Sequence, residues 1–426
     1  MCDVVAGELI LCFSRTDEAA HNVVSLLRER KIEHVEYGES LANKLKNLGL
    51  ILGDDLQFEF HLVKVPAGQE SWKTTYLQFF YKQALMNFMP KFSKSFWELS
   101  SRSDYQFTVS PNHLLTLGGT ASNGNPISAK DFRFGGCHSK YKQAIGLSTA
   151  ASASSKDKIR VLLLDSGIAN DAPVTIADRR NIVDPKSYGN APDDHGHGTA
   201  LALLIHDLAP NTEFLIYKVA DTTGRISEWD ALAGMVAKSD AHVINLSMQF
   251  GLLNKNKGCP LCGRESQASR SAVFENVVNE LKRRSPRPIV IASAGNYGGQ
   301  ELAFPARFDS VLAIGSIRSD RTLSSDCNSG EKDQTGDPHR NHFVLPGGES
   351  DPARLEPILT STSGQNWTGS SFAAGFASGM VARILGGMGL QQFSFDLFLD
   401  RLRQTADTNL QPQYSNAAHG NGLMHF

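Results

Sequence analysis

Four kinds of side chain that together make acyl-transfer chemistry occur in this chain, each in a setting that suits it. Ser370 and Ser371 stand where the polar turn NWTGSS becomes a run of small residues, FAAGFASGMVARIL, that carries no charge before Arg383. A helix with no polar face must be buried. Its first turn leaves N–H groups unpaired at the positive end of the helix dipole. A serine at that point can attack a carbonyl while its own N–H steadies the oxyanion, although serine is equally at home there as a simple cap. Gly375 and Gly379 form a G-x-x-x-G spacing, but the apolar run is too short for a bilayer, and close packing inside a folded domain fits it better. Upstream, VLLLDSG ends on Asp165, DDHGHGT holds His195 and His197, and IVIASAGN ends on Asn296. Taken singly, the aspartate and the asparagine suit turns, and two histidines beside Asp193 and Asp194 would suit a metal.

The elements that must position these residues are legible in the hydrophobic pattern. Aliphatic runs at Val161–Leu164, Phe214–Val219, Val243–Leu246, Ile289–Ala292 and Val311–Ile314 alternate with helical stretches such as Glu228–Lys238 and Ser271–Arg283. Continuous aliphatic strands between helices predict an α/β fold, a doubly wound and mostly parallel sheet covered on both faces. In such sheets the site lies beyond the carboxyl ends of the strands. Asp, His, Asn and Ser fall near those ends in that chain order, the complement that acyl transfer requires.

In motif content and order, the region from about Tyr141 to the C-terminus resembles the subtilisin-like (subtilase) serine peptidases. The resemblance extends through LAPNTEFLIYKV, VINLSM, FPARFDSVLAIGSI, VLPGG and GNGLMHF. It implies Ser371 as nucleophile, His197 as general base, Asp165 as the group that orients His197, and Asn296 as oxyanion donor together with the Ser371 N–H. Ser370 and His195 are the neighbours set aside by the family's spacing. It also implies that Ser247, Met248 and Gln249 receive an extended peptide by β-augmentation, with Gly295 and Tyr297 lining the pocket for the residue before the cut. The implied activity is hydrolysis of a protein or peptide substrate by a serine endopeptidase through an acyl-enzyme, without a required cofactor. The alternative is a catalytically silent subtilase fold that binds an extended peptide. Two departures motivate it: Gly375 stands where the family usually has proline, and Gln249 where it usually has glycine. The segment from His197 to Leu208 is too short for the family's usual calcium loop, so no calcium is expected there.

Composition bounds the remainder. The chain has 426 residues, 41% of them hydrophobic, and a formal net charge of -2, which suggests neither nucleic acid nor an acidic membrane as a partner. The opening MCDVVAGELILCFSRTDE lacks a basic n-region and makes a poor signal peptide. Cys2, Cys12, Cys137, Cys259, Cys262 and Cys327 are too sparse for a disulfide scaffold, and a cytoplasmic location is expected. Residues 1–110 predict a smaller N-terminal α+β domain, 111–157 a linker and lead-in, and 158–426 the catalytic domain. In the first of these, strands are expected at Glu8–Ser14, Ile32–Tyr37 and Gln57–Val65, and helices at Thr16–Arg30, Leu41–Leu48 and Ser71–Met89. The N-terminal domain is expected to restrain the enzyme as a propeptide or to recruit a regulatory partner. The insertion at Asn254–Ser269 carries CPLCG, where Cys259 and Cys262 make half a zinc knuckle, a redox pair or two unligated thiols. A zinc there would need further ligands such as Cys137, His138 or Cys327.

Overall fold

The structure is a computed structural model and describes residues 4–16, 36–54, 56–64, 107–117, 127–147, 157–187, 189–251, 270–330, 341–388, 394–410 and 415–425, with a few positions between 21 and 29. The chain divides into two compact units: Met1–Leu114 with Ser227–Lys238 and Gly251–Glu280, and Leu115–Ile226 with Ser239–Phe250 and Leu281–Phe426. The expected helix at Ser71–Met89, most of that at Thr16–Arg30, and the CPLCG insertion lie outside the described residues.

The first unit is an antiparallel sheet with helices. Strands β1 (Val4–Ser14), β2 (Glu36–Ser40), β3 (Phe58–Lys64) and the first part of β4 (Phe107–Leu117) pair in the order β4-β1-β3-β2. Leu9 to Phe13 are buried without a break, as befits a central strand covered on both sides. Helix α1 (Leu41–Asn47) starts where Ser40 accepts a hydrogen bond from the Asn43 N–H, and Gly49 beyond its end is left-handed at φ 65°, both as the capping pattern predicts.

Two later helices belong to this unit, α4 (Glu228–Val236) and α5 (Ala272–Leu281). Asn112 accepts from the Trp229 N–H at the start of α4, and fully buried Glu228 lies 2.7 Å from His113 Nδ1 and accepts from Ser271 Oγ at the start of α5.

The second unit is built on seven parallel strands in the order β14-β13-β12-β10-β6-β8-β7. These are β6 (Arg160–Asp165), β7 (Thr175–Asn181), β8 (Glu213–Lys218), β10 (Val243–Leu246), β12 (Ile289–Ser293), β13 (Leu312–Ile317) and β14 (His342–Pro346). The chain winds outward on one side through β7 and β8, then returns to the other side through β10. The reversal lies between β6 and β10, and it opens a crevice beyond their carboxyl ends. Short β5 (Phe132–Phe134), β15 (Leu359–Ser361) and β16 (Asn366–Trp367) form a separate antiparallel sheet, while β9 (Arg225–Ser227) and β11 (Met248–Phe250) both pair with β4. Helices α2 (His138–Ala144) and α7 (Phe395–Thr405) also belong to this unit.

The core is organised by two helices, α3 (His197–Leu208) and α6 (Ser370–Met388). Every residue from Ser370 to Ala382 is buried, and α6 packs on α3 and on the central strands. A Cβ at Gly379 would lie 2.8 Å from Leu208 Cβ, and one at Gly375 would lie 2.8 Å from Leu201 Cδ2. The G-x-x-x-G spacing is thus a contact surface between helices. Gly379→Val would press against the fixed stem of Leu208 and is expected to cost about 1–3 kcal/mol, read as a lowered denaturation midpoint. Unchanged stability would show that α3 shifts freely.

Candidate active site

Asp165 is the last residue of β6, and His197 is the first of α3. Both are buried, and His197 Nδ1 lies 2.9 and 3.0 Å from the two Asp165 carboxylate oxygens. Both oxygens of this one carboxylate at Nδ1 place the imidazole proton there and leave Nε2 as the acceptor. Nε2 is buried and has no hydrogen-bond partner among the described residues. The ring is held by Trp367 and Phe372, with centroids 6.0 and 5.5 Å away.

The loop that delivers His197 is fixed by Asp193. Its Oδ1 accepts from Ser166 Oγ and from the His195 and Gly196 N–H groups at 2.8, 3.0 and 2.7 Å, and its Oδ2 accepts from the Thr199 N–H and hydroxyl at 2.8 and 2.6 Å. Ser166 also donates its N–H to Asp165 and accepts from the Gly198 N–H, so one network ties the end of β6 to the start of α3. Asp194 pairs instead with Lys218 at 2.6 Å. The two aspartates therefore serve different partners, and they do not converge with the histidines on a metal. His195 packs on Trp367, and burial, with His197 nearby, holds its imidazole below the usual histidine range.

Ser371 lies one residue inside α6, and its Oγ donates to the Ser247 carbonyl at 3.3 Å. Asn296 follows β12, and its Oδ1 accepts from the N–H and the hydroxyl of Ser370, both at 2.8 Å. These bonds fix the amide so that Nδ2 remains available to donate. Ser370 thus has its own task, orienting Asn296.

Beside these groups, the strand residues Met248, Gln249 and Phe250 face the turn Gly295–Tyr297. Gln249 Oε1 accepts from the Asn296 N–H at 3.1 Å, and the Tyr297 hydroxyl donates to the Phe250 carbonyl at 2.9 Å. Gly295 is left-handed at φ 113°, and a Cβ there would strike Asn328 and Ala303. The outer edge of β11 carries the end of β4, with Met248 opposite Leu117, Gln249 opposite Thr116 and Phe250 opposite Leu115, antiparallel. On the far side, the Leu117 N–H donates to the Gly224 carbonyl at 2.9 Å. This strand was not anticipated as part of the site, although the alternation Leu-Thr-Leu before Gly-Gly was a strand signal.

The subtilase family model matches residues 88–422. The chain belongs to the subtilase family. This subtilase is 24% identical over 277 residues to a thermostable alkaline protease of Halalkalibacterium halodurans, covering 62% of the chain and 66% of that protein. It is 28% identical over 168 residues to alkaline elastase YaB of a Bacillus species, covering 37% and 39%. The chain thus spans less than two thirds of the length of these relatives. Its fold is that of the epidermin leader peptide processing serine protease EpiP from Staphylococcus aureus, with a TM-score of 0.62 at 17% identity over 99% and 97% of the two chains. A lanthipeptide protease superposes with a TM-score of 0.52 at 19% identity over 68% and 93%.

Cys259 and Cys262 lie outside the described residues. Of the further ligands a zinc would need, Cys327 is buried and accepts from the Ser316 N–H, its thiol pushed up to about 12 by burial, and His138 pairs with Asp207 at 2.9 Å. Among the described residues, no group of three or more His, Cys, Asp and Glu side chains could hold a metal ion.

Replacing Asp193 by Asn would turn an amide toward five donors. Asp193→Asn is expected to cost about 2–4 kcal/mol, measured by denaturant unfolding. A loss below about 1 kcal/mol would show that water substitutes for the carboxylate.

Proposed function

We propose that this subtilase is a serine endopeptidase that cuts protein or peptide substrates through an acyl-enzyme. The observation that carries this reading is the buried Asp165–His197 pair, whose Nε2 has no hydrogen-bond partner among the described residues and whose ring packs on Phe372, the residue that follows Ser371 at the start of α6. In the first step the Ser371 hydroxyl leaves the Ser247 carbonyl and passes its proton to His197 Nε2, while Oγ bonds to the substrate carbonyl carbon. The resulting oxyanion is held by Asn296 Nδ2 and the Ser371 N–H. His197 then gives the proton to the leaving amine as the C–N bond breaks. Water repeats the sequence: its proton goes to His197, its oxygen bonds to the acyl carbon, and the bond to Ser371 Oγ breaks with the proton returned. Asp165 keeps the tautomer and stabilises the imidazolium.

The same reading includes self-restraint. Leu115–Leu117 occupies the β11 edge on which an extended substrate would be laid, so a chain that is uncut here competes with its own substrates.

Ser371→Ala is expected to abolish labelling by a fluorophosphonate probe without unfolding the protein, whereas label on Ser370→Ala still maps to Ser371. Asn296→Ala should lower kcat about 10²–10³-fold, the size of effect known for this donor in subtilisin itself. Label that maps to Ser370, or a wild type that never labels, would overturn the assignment. For the restraint, wild type and Ser371→Ala are incubated side by side and chain mass is followed. Cleavage between Ser103 and Ser155 in wild type only, with activity rising as the fragment is lost, is the expected result. A full-length chain that is already maximally active would refute it.

A further inference from the structure

The chain's own strand shows how a peptide lies on the β11 edge. With Leu117 opposite Met248 and Thr116 opposite Gln249, the next residue of a peptide in this register stands opposite Ser247. The Ser247 carbonyl is 3.3 Å from Ser371 Oγ, so that residue presents the carbonyl under attack. Directly opposed residues of an antiparallel pair share a face, and faces alternate along the strand. The side chain of the attacked residue therefore projects on the face of Thr116 and Gln249, while those at the positions of Leu115 and Leu117 project on the other.

On the first face the space is already spanned. The Gln249 side chain is buried at 5% exposure and crosses from β11 to the Asn296 N–H. The Tyr297 hydroxyl makes a second crossing, to the Phe250 carbonyl. Both bonds join the two walls, Met248–Phe250 and Gly295–Tyr297, that flank the acyl position. On the other face Leu115 and Leu117 are 0% and 7% exposed, so two leucine-sized side chains are accommodated. Thr116 between them is partly exposed.

We propose that Gln249 and Tyr297 close the pocket next to Ser371, making the enzyme selective for glycine as the residue whose carbonyl is attacked, with leucine-like side chains one and three positions before it. This rests on the serine peptidase reading and specifies its substrate class. The sequence carries such a site in itself: Leu115-Thr116-Leu117 is followed by Gly118 and Gly119, two residues outside the described ones. A glycine needs no pocket, so the two crossing bonds survive its binding. Any larger side chain has to break them.

The test uses the full-length protein, as purified or after it has processed itself, in two assays. Peptides Leu-Thr-Leu-X-Gly-Thr with X as Gly, Ala or Phe are followed by mass spectrometry, and the aldehydes Leu-Thr-Leu-glycinal and Leu-Thr-Leu-phenylalaninal compete with fluorophosphonate labelling. The expected result is at least a 100-fold preference for Gly over Phe in both assays, reduced tenfold or more in Gln249→Gly and in Tyr297→Ala. Where either variant fails to fold, Gln249→Ala and Tyr297→Phe serve in its place, each reducing the preference severalfold. Phe accepted as well as Gly by wild type would overturn the proposal while labelling leaves the peptidase reading intact. A Gly preference that all four variants leave unchanged would overturn the assignment to Gln249 and Tyr297. Absence of labelling at Ser371 would overturn the peptidase reading and this inference with it.

Discussion

The close approach of α6 to α3 is the constraint on which the rest of the second unit depends. Each helix carries a proposed catalytic group in its first turn, His197 on α3 and Ser371 on α6, and both run back into the core. Where the helices cross, Gly375 and Gly379 meet Leu201, Leu204 and Leu208 with no room for a Cβ in an unshifted structure. The separation of the two N-termini is thereby set by interior packing, which resists deformation far more than loops do. Each helix is also entered through a left-handed glycine, Gly196 at φ 99° and Gly369 at φ 111°. A side chain at Gly196 would strike Ile127 and Trp367, and one at Gly369 would strike Asn296. Backbone freedom is thus needed just where the chain turns into each helix.

Burying two carboxylates beside one histidine is costly unless their lone pairs are filled. Asp193 has five donors, three of them N–H groups at the start of α3 and the loop before it, where a negative charge also complements the helix dipole. Asp165 receives His197 Nδ1 on both oxygens and the Ser166 N–H. Ser166 Oγ bridges the two carboxylates, 3.2 Å from Asp165 Oδ1 and 2.8 Å from Asp193 Oδ1. The network uses its bonds for orientation, and His197 Nε2 is left without a hydrogen-bond partner among the described residues.

Much of this was legible in the sequence wherever the signal was local. The aliphatic runs became β6, β8, β10, β12 and β13, and Ser40 capped α1 as its position suggested. Edge strand β7 was missed because TIADRRN has no aliphatic run and no sustained alternation. The strand expected at Ile32–Tyr37 is seen as β2 over Glu36–Ser40, where the polar stretch is held by pairing with β3 across an irregularity at Gly38. The role of Asp193 was hidden because its donors come from Ser166 as well as from its own loop. That Leu115–Leu117 pairs with Met248–Phe250 was equally invisible, since the partners are more than a hundred residues apart and no local pattern links them.

The two departures from the family pattern bear directly on whether the site is intact. Gly375 lacks the ring that proline would place one turn beyond Ser371, the proposed nucleophile, but the space is not empty: Leu201 and Leu204 fill it at 2.8 and 3.2 Å from where a Cβ would be. The backbone of α6 is restrained there by a neighbouring helix, where a proline would restrain it through its own ring. Gln249 adds a side chain where a glycine is usual, and that side chain accepts from the N–H of Asn296, whose own Oδ1 is held by Ser370. A site freed from the demands of catalysis has no physical need to keep five donors on a buried aspartate, or to tie Asn296, the proposed oxyanion donor, at both its backbone and its amide. Of the two departures, Gln249 is the one tied to the turn that carries Asn296. On the proposed reading, that tie fits an enzyme with a narrowed choice of substrate better than a peptide-binding module that has lost its chemistry.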